Sequence, residues 1–274
     1  MIRRKGRSLA GAAAGAVGIA LLAPFIIQLS AALMTSGEIA AGRLVPSALH
    51  FGNFRTVLSG QHAFPRYLAN SLLIAGTSSL IAVLLGSAAA FALTRLGRRA
   101  ALAVLLVVLT AAMVPQIAAV SPLFLLLRSA GLLNTYAGLV IPYVGLNLPL
   151  AIWILYGFFR QLPPELEEAA AIDGAGFAGT IRHVYMPLAA PGVFTTAILV
   201  FIFCWNEFLL ALTINTADAM RTVTVGIAMF PGQYEMPWGV IFAASVVVTL
   251  PLVALVLVLQ RRIVSGLTAG AVKE

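Results

Sequence analysis

The chain has 274 residues, of which 61% are hydrophobic and only 9% are charged, and its mean hydropathy is +1.02. Soluble globular domains carry about 25% charged residues, so this composition excludes a water-soluble domain and predicts a protein of the lipid bilayer. The net charge of +8 comes largely from short basic runs beside apolar segments, which favours anchoring at a membrane surface over nucleic-acid binding. Because Cys204 is the only cysteine, no intrachain disulfide can form.

Six segments are long and apolar enough to cross the bilayer, which requires about 20 residues in a helix. They lie at about 9–34, 70–93, 101–127, 136–159, 191–213 and 239–260. We therefore predict an all-α polytopic membrane protein with six transmembrane helices in a single domain, residues 1–274. The first segment follows a basic start typical of a signal peptide. Its apolar stretch exceeds the roughly 7–15 residues of a signal core, so we predict a retained anchor.

The distribution of Lys and Arg predicts the orientation of these helices. With the N-terminus inside, twelve of the seventeen basic residues fall on the inner side and five on the outer side. Because basic residues are enriched in cytoplasmic loops, we predict that both termini are cytoplasmic. The segment between the fourth and fifth spans, residues 160–190, is then cytoplasmic as well.

That segment contains the stretch ELEEAAAIDGAG, which holds four of the nine acidic residues of the chain. Pro163 and Pro164 stand where a helix can begin, and the acids that follow suit the positive N-terminal end of a helix dipole. Gly174 is a natural stop, and a second apolar series with helical spacing follows it. We therefore predict a helix–turn–helix at the inner membrane surface.

The first helix of this segment has a face of small side chains. Leu166, Ala170 and Asp173 share one face, and Ala169 lies beside them. Small side chains permit the close approach of another backbone, which suits docking into a groove on a partner protein. The alternative is an inert amphipathic loop resting on lipid. Lipid-surface helices usually carry Lys and Arg on their polar face, whereas this helix is acidic, so the pattern favours a protein partner.

The sequence lacks the residues that catalysis would need. A P-loop requires G-x-x-x-x-G-K-[ST], and neither Lys5 nor Lys273 lies in such a motif. His50, His62 and His183 are scattered along the chain, and no group of His, Cys and Asp has metal-ligand spacing. We therefore predict that this chain has no enzymatic activity and holds no metal or other cofactor. Any ATP hydrolysis would then be carried out by a partner subunit.

Glu207 is the one acidic residue inside a predicted span, in the stretch CWNEFLLAL. An intramembrane carboxylate is costly, and by default it marks a functional site. Asn206 adjoins it and Trp205 offers an aromatic ring for a sugar, so these three residues are candidates for a translocation pathway. A structural role, in which Glu207 is hydrogen-bonded to a neighbouring helix near the outer end of its own, is equally compatible with the sequence.

Three function classes fit such a chain: a permease subunit of a primary transporter, a carrier or channel that works alone, and a membrane enzyme. Ion-coupled carriers usually place ionisable groups at mid-membrane, often in repeated halves. The sequence has one such carboxylate and no internal repeat, and it lacks a catalytic set of residues. These features favour the transporter subunit, and co-purification of a nucleotide-binding partner would distinguish it from the carrier.

The stretch EEAAAIDGAG, followed by MPLAAPG, resembles the EAA loop of binding-protein-dependent ABC importer permeases. From about residue 43 onward the chain is similar to the carbohydrate-uptake branch, in the subunit similar to the maltose G-type permease. The matching stretches include FPRYLANSLLIA, VPQIAAVSPLFLLLRSAGLLNT, IWILYGFFRQLPPELEEAAAIDGAG, WNEFLLAL and GLTAGAVK. The last two are specific to the sugar branch, and the final Glu274 is a small departure from relatives that often end in Gly.

This resemblance implies a transmembrane permease subunit of an ATP-binding-cassette importer in a bacterial inner membrane. The subunit would form half of an alternating-access pathway for a sugar or sugar derivative. Similar subunits handle disaccharides, amino sugars and glycerol phosphates, and the resemblance leaves open which of these is the substrate and whether this subunit or its partner permease holds it. Its partners would be membrane lipid, a homologous second permease subunit, two ATP-binding subunits that hold ATP and Mg, and an extracytoplasmic sugar-binding protein. The EAA coupling loop, residues 160–190, would dock into a cleft of the cytoplasmic ATPase.

The resemblance also implies roles for individual residues. The residues expected to couple to the ATPase are Glu168, Ala169, Ala170, Asp173 and Gly174. In relatives the loop between the last two spans reaches toward the cleft of the binding protein. The residues expected to contact that protein are therefore Gln233, Tyr234 and Glu235.

Overall fold

The computed structural model describes residues 2–59, 63–229 and 236–269, and it describes side chains between residues 15 and 258 within those ranges. Throughout these ranges the regular secondary structure is helical. A helix suits lipid because it satisfies its own backbone N–H and C=O groups. The helices are α1 (Ile2–Ala32), α2 (Ser36–Ala40), α3 (Gly52–Leu58), α4 (Phe64–Thr94), α5 (Arg98–Ala112), α6 (Gln116–Ser129), α7 (Tyr136–Phe159), α8 (Glu165–Ile172), α9 (Phe177–Thr180), α10 (Met186–Leu188), α11 (Ala190–Asn206), α12 (Leu209–Ile214), α13 (Val223–Ala228) and α14 (Trp238–Ala269), with a π turn at Ile181–Tyr185 and a 3₁₀ turn at Asp218–Met220.

The six predicted spans correspond to four single helices and two bent pairs. Among the described residues, four stretches are long and apolar enough to cross a membrane: Gly15–Ala32, Phe64–Thr94, Tyr136–Phe159 and Trp238–Val258. The bent pairs are α5 with α6, and Phe177–Leu188 with α11, and they complete six spans if each pair is counted as one. The prediction of 136–159 coincides with α7 at both ends, while 9–34, 70–93 and 239–260 fall on α1, α4 and α14.

The predicted third span, 101–127, is not one straight helix. α5 ends at Ala112, α6 begins at Gln116, and the two helices are bent by 84°. Pro115 explains the break, because proline has no N–H to donate and disfavours a helical conformation at the residue before it. The apolar composition continues through the break, so hydropathy alone predicted a continuous span.

The predicted fifth span, 191–213, is also interrupted. α11 ends at Asn206, and α12 begins at Leu209 after two residues that are not helical. Glu207 has an extended backbone, with φ −65° and ψ 133°. A bend of 90° separates Phe177–Leu188 from α11. The carboxylate inside this span therefore lies at a discontinuity of the helix.

The chain divides into two compact units, Met1–Pro65 with Gly226–Pro251, and Arg66–Val225 with Leu252–Glu274. In the first unit, the buried Asn53 amide donates to the carbonyl oxygens of Ala32 and Met34, at 2.9 and 2.8 Å. These bonds satisfy carbonyl groups that the end of α1 leaves without helical partners.

Glu38 organises the loop that follows α1 in the same unit. It forms a capping box with Thr35 at the start of α2, and its carboxylate accepts hydrogen bonds from the backbone N–H and the hydroxyl of Ser47. The Ser47 hydroxyl is the main reason that the pKa of Glu38 falls from 4.5 to about 2. The loop is therefore closed by a carboxylate that stays charged at neutral pH.

An aromatic cluster forms part of the core of the second unit. Phe91 of α4, Phe159 of α7 and Tyr185 of the π turn are almost fully buried. The ring of Tyr185 lies edge-on to the other two, with centroid distances of 4.6 and 5.2 Å. Edge-to-face aromatic pairs are favourable beyond the area they bury. The cluster therefore packs the segment after α7 against two spanning helices.

Candidate functional site

The segment 160–190, which we call the EAA segment, has the predicted helix–turn–helix form. α8 begins after Pro164, carries three glutamates in its first turn, and ends at Ile172 with Asp173 as its C-cap. Gly174 follows with φ +79°, a left-handed conformation that glycine adopts without strain. The N–H of Ala175 donates to the carbonyl of Ala170 at 2.9 Å and closes the turn. The positions of the helix start and of the glycine stop are thereby confirmed.

The faces of α8 differ from the prediction. Ala170 is only 6% exposed, and Leu166 is half-buried, so their face turns inward toward α9 and the π turn. Glu168, Ala169, Asp173 and Gly174 are exposed. The free face also carries Ile172, which is 87% exposed and was missed. The residues 165, 168, 169 and 172 have helical spacing, so the sequence held a signal for this second face.

Glu167 is the one glutamate of the first turn of α8 that is partly covered by the protein. Its carboxylate lies 2.6 Å from the guanidinium of Arg95, the residue that follows α4, and it accepts a long hydrogen bond from the hydroxyl of Tyr185. The guanidinium also lies over the rings of Phe91 and Phe177, at 4.5 and 5.7 Å from their centroids. This combination of an ion pair and cation–π contacts fastens the EAA segment to the end of α4.

Glu207 accepts four hydrogen bonds at the interruption between α11 and α12. Its carboxylate takes the backbone N–H groups of Leu210 and Ala211 at 2.7 and 3.0 Å, as an N-cap side chain does. It also accepts from Gln116 Nε2 at 2.8 Å and from the Tyr143 hydroxyl at 2.6 Å. The two oxygens are therefore engaged by α6, α7 and α12 together, which is the structural role that the sequence left open.

The other two pathway candidates do not share this site. Trp205 is 1% exposed and its ring stacks on Phe201 with centroids 5.5 Å apart, so it has no free face for a sugar. Asn206 is exposed and donates to the carbonyl of Ile202 at 2.8 Å. Gln233, Tyr234 and Glu235 lie outside the described residues.

A cavity of about 400 Å³ lies beside the carboxylate, and we call it the Glu207 cavity. It is lined by Leu109, Ala112, Val114, Gln116, Tyr143, Leu146, Asn147, Leu150, Phe203, Cys204 and Glu207. Gln116, Tyr143 and Asn147 are polar residues that sequence reasoning did not select. All three stand inside apolar spans, where polar side chains are rare and often functional, so the signal was available. Within the described residues, no group of three or more His, Cys, Asp or Glu side chains could hold a metal ion.

A family described as the inner membrane component of binding-protein-dependent transport systems matches residues 82–268. The chain belongs to this family. The matched range contains the Glu207 cavity and the whole EAA segment, so both candidate sites lie in the part that the family shares. The permease is a membrane-bound transport subunit and not an enzyme.

Several relatives match nearly the whole permease. The trehalose transport system permease protein SugB of Mycobacterium tuberculosis is 45% identical, covering 94% of both chains. The trehalose/maltose transport system permease protein MalG of Thermococcus litoralis is 43% identical, covering 94% of this chain and 93% of its own. The sulfoquinovosyl glycerol transport system permease protein SmoH of Agrobacterium fabrum is 38% identical, covering 92% and 89%.

A solved structure supports the fold of the permease. A chain of a bacterial ABC transporter involved in the import of alginate, an acidic polysaccharide, matches with a TM-score of 0.78. The match covers 94% of this chain and 96% of the other at 22% sequence identity. At that identity the likeness establishes the fold alone, an all-α architecture of the ABC importer type.

Removal of the Glu207 carboxylate should destabilise the permease. Glu207→Ala leaves the N–H groups of the buried Leu210 and Ala211 and the hydroxyl of the buried Tyr143 without their acceptor, and each such donor costs about 1–3 kcal/mol. We expect a loss of about 3 kcal/mol or more, seen as a lower melting temperature of the detergent-purified protein. Asn206→Ala, one residue away on an exposed side chain, is the matched control. Equal melting temperatures for the two variants would contradict the structural role.

Proposed function

We propose that this permease forms half of the translocation pathway of an ATP-driven importer for a sugar or sugar derivative, with disaccharides such as trehalose as the substrate class. One observation carries the substrate class. The two relatives that are 45% and 43% identical along 94% of this chain are named for trehalose and for trehalose or maltose. The stretch WNEFLLAL, in which Glu207 organises the interrupted span, supports the same assignment.

The proposed assembly contains three kinds of partner besides lipid. A homologous second permease subunit completes the pathway, and an extracytoplasmic binding protein delivers the sugar. Two ATP-binding subunits hold ATP and Mg, and this chain carries no cofactor of its own. The description of its family, a component of a binding-protein-dependent transport system, supports the dependence on a binding protein.

The free face of α8 is the proposed contact with the ATPase. Glu168, Ala169 and Ile172 form a small, partly apolar surface at the tip of the EAA segment, and Asp173 and Gly174 close it. Ile172 is 87% exposed, so its side chain is free to enter an apolar pocket on the ATPase. Force applied to this face reaches α4 through the Arg95–Glu167 pair and α7 through Tyr185 and Phe159.

The import function can be tested with the complex purified from the host through a tag on this chain. We expect two further types of subunit, a second permease and an ATP-binding protein, to co-purify. In liposomes, ATP hydrolysis should rise when the cognate binding protein is added with trehalose, and maltose is the second sugar to be tested. A complex that lacks an ATP-binding subunit, or one that no sugar-loaded binding protein stimulates, would contradict the proposal.

The free face and the inward face of α8 should respond differently to substitution. Ile172→Asp places a charge on the exposed face, so we expect normal amounts of folded permease but loss of binding-protein-stimulated ATP hydrolysis. Ala170→Trp instead overpacks the inward face, which typically costs about 1–3 kcal/mol, so we expect less folded permease. Both are measured by quantifying the assembled complex and its stimulated ATPase rate. Full stimulation of the Ile172→Asp complex would show that this face is not docked.

The proposed orientation places both termini and the EAA segment in the cytoplasm. It follows from the excess of Lys and Arg on that side, which the positive-inside rule assigns to the cytoplasm. Reporter fusions at Leu96 and Gly179 should therefore read cytoplasmic, and fusions at Ser59 and Ala219 extracytoplasmic. A cytoplasmic reading at Ala219 would be incompatible with six spans in this orientation.

A further inference from the structure

The Glu207 cavity lies where the break between α5 and α6 meets the gap between α11 and α12. Ala112, Val114 and Gln116 come from the break between α5 and α6, and Cys204 and Glu207 come from the end of α11. Non-helical backbone at membrane depth is tolerated where it is buried in protein or lines a water-filled cavity. Transporters of other classes form substrate sites from such discontinuous helices. Because both of these helix breaks line the same cavity, the cavity is a candidate ligand site.

The carboxylate itself is not available to a ligand. Both oxygens of Glu207 already accept two hydrogen bonds each, from Gln116 and Leu210 on Oε1 and from Tyr143 and Ala211 on Oε2. A carboxylate can only accept, so the NH₂ group of Gln116 must face it. The carbonyl oxygen of the Gln116 amide then points away, and it makes no hydrogen bond within the described part of the chain.

Asn147, which also lines the cavity, has the same arrangement. Its NH₂ group donates to the carbonyl oxygen of Tyr143 at 2.8 Å and contacts the sulfur of Cys204 at 3.6 Å. Because these contacts fix the NH₂ group, the amide oxygen Oδ1 is left as an acceptor, and no donor among the described residues reaches it. The cavity thus contains two oriented amide oxygens and no unpaired charged group.

The remaining walls are apolar. Leu109, Leu146 and Leu150 line the cavity, and Phe203 adds an aromatic ring that is 57% exposed. A sugar ring presents hydroxyl donors at its edge and C–H groups on its face, so it matches amide acceptors beside an apolar surface. The volume of about 400 Å³ falls in the range of about 300–1,000 Å³ that is typical of small-molecule sites.

We propose that the Glu207 cavity is a subsite for one neutral sugar ring on the translocation pathway. The ring hydroxyls donate to the amide oxygens of Gln116 and Asn147, and the C–H face packs on Phe203. Glu207 is a positioning residue that holds the Gln116 amide and the Tyr143 hydroxyl in place. This inference rests on the proposed function and adds that this subunit, and not its partner permease alone, binds the sugar.

The test uses the full complex trapped with a non-hydrolysable ATP analogue, and it measures the retention of radiolabelled trehalose at several concentrations. Asn147→Leu removes one acceptor, and we expect the apparent affinity for trehalose to fall about two- to tenfold, the effect of one neutral hydrogen bond. Phe203→Leu removes the ring without touching a hydrogen bond and should weaken retention as well. Thr110→Val is the matched control, because Thr110 lies on α5 outside the cavity lining, and among the described residues its hydroxyl donates only to the carbonyl oxygen of Leu106.

The outcomes separate the subsite from the import function. If the wild-type complex retains no trehalose and no other sugar that it transports, the proposed function fails. If the wild type retains trehalose and both Asn147→Leu and Phe203→Leu match the control, the subsite is wrong while the function stands. If the variants lower the amount of assembled complex but leave trehalose affinity unchanged, these residues serve assembly and not sugar binding, and the inference is overturned.

Discussion

Lipid offers no hydrogen-bond partner, so every interruption of a spanning helix must be satisfied inside the protein. Glu207 meets this requirement between α11 and α12. Its carboxylate accepts hydrogen bonds from N–H groups that the start of α12 leaves without helical partners. The same two oxygens reach Gln116 and Tyr143, which fixes α6 and α7 against the interruption. One charged group thus determines where these helices meet, and the cavity exists because they meet there.

In the EAA segment, at the water boundary, an acidic side chain likewise needs an internal partner only where the protein covers it. Glu167 is partly covered, and its carboxylate is paired with the guanidinium of Arg95 at 2.6 Å. Surface ion pairs contribute only about 0–1 kcal/mol, so this one orients α8 more than it stabilises the fold. Glu165 and Glu168 need no internal partner because they remain exposed. In the first turn of α8, Glu167 therefore anchors the helix to Arg95, whereas Glu165 and Glu168 form an exposed acidic surface.

Features that depend on composition and on backbone chemistry could be predicted from the sequence. The ends of α7, the start of α8 after Pro164 and the glycine turn at Gly174 follow from apolar length, proline and the left-handed conformation. The breaks at Pro115 and Glu207 were not predicted, because both lie within continuous apolar composition. The inward direction of Ala170 was missed for a different reason. Small residues stand on both faces of α8, so only the aromatic packing of the following turns decides which face is buried.

α7 connects the two sites. Tyr143 and Asn147 stand at the Glu207 cavity, whereas Phe159, at the end of the same helix, packs on Tyr185 of the EAA segment. The sixteen residue steps from Tyr143 to Phe159 correspond to about 24 Å at 1.5 Å per residue, close to the thickness of the hydrocarbon core. A closely packed interior passes displacement from one contact to the next because it has little free volume. The proposed coupling surface and the proposed sugar subsite are therefore joined by one continuous helix, in which Pro149, between them, lacks the N–H for one backbone hydrogen bond.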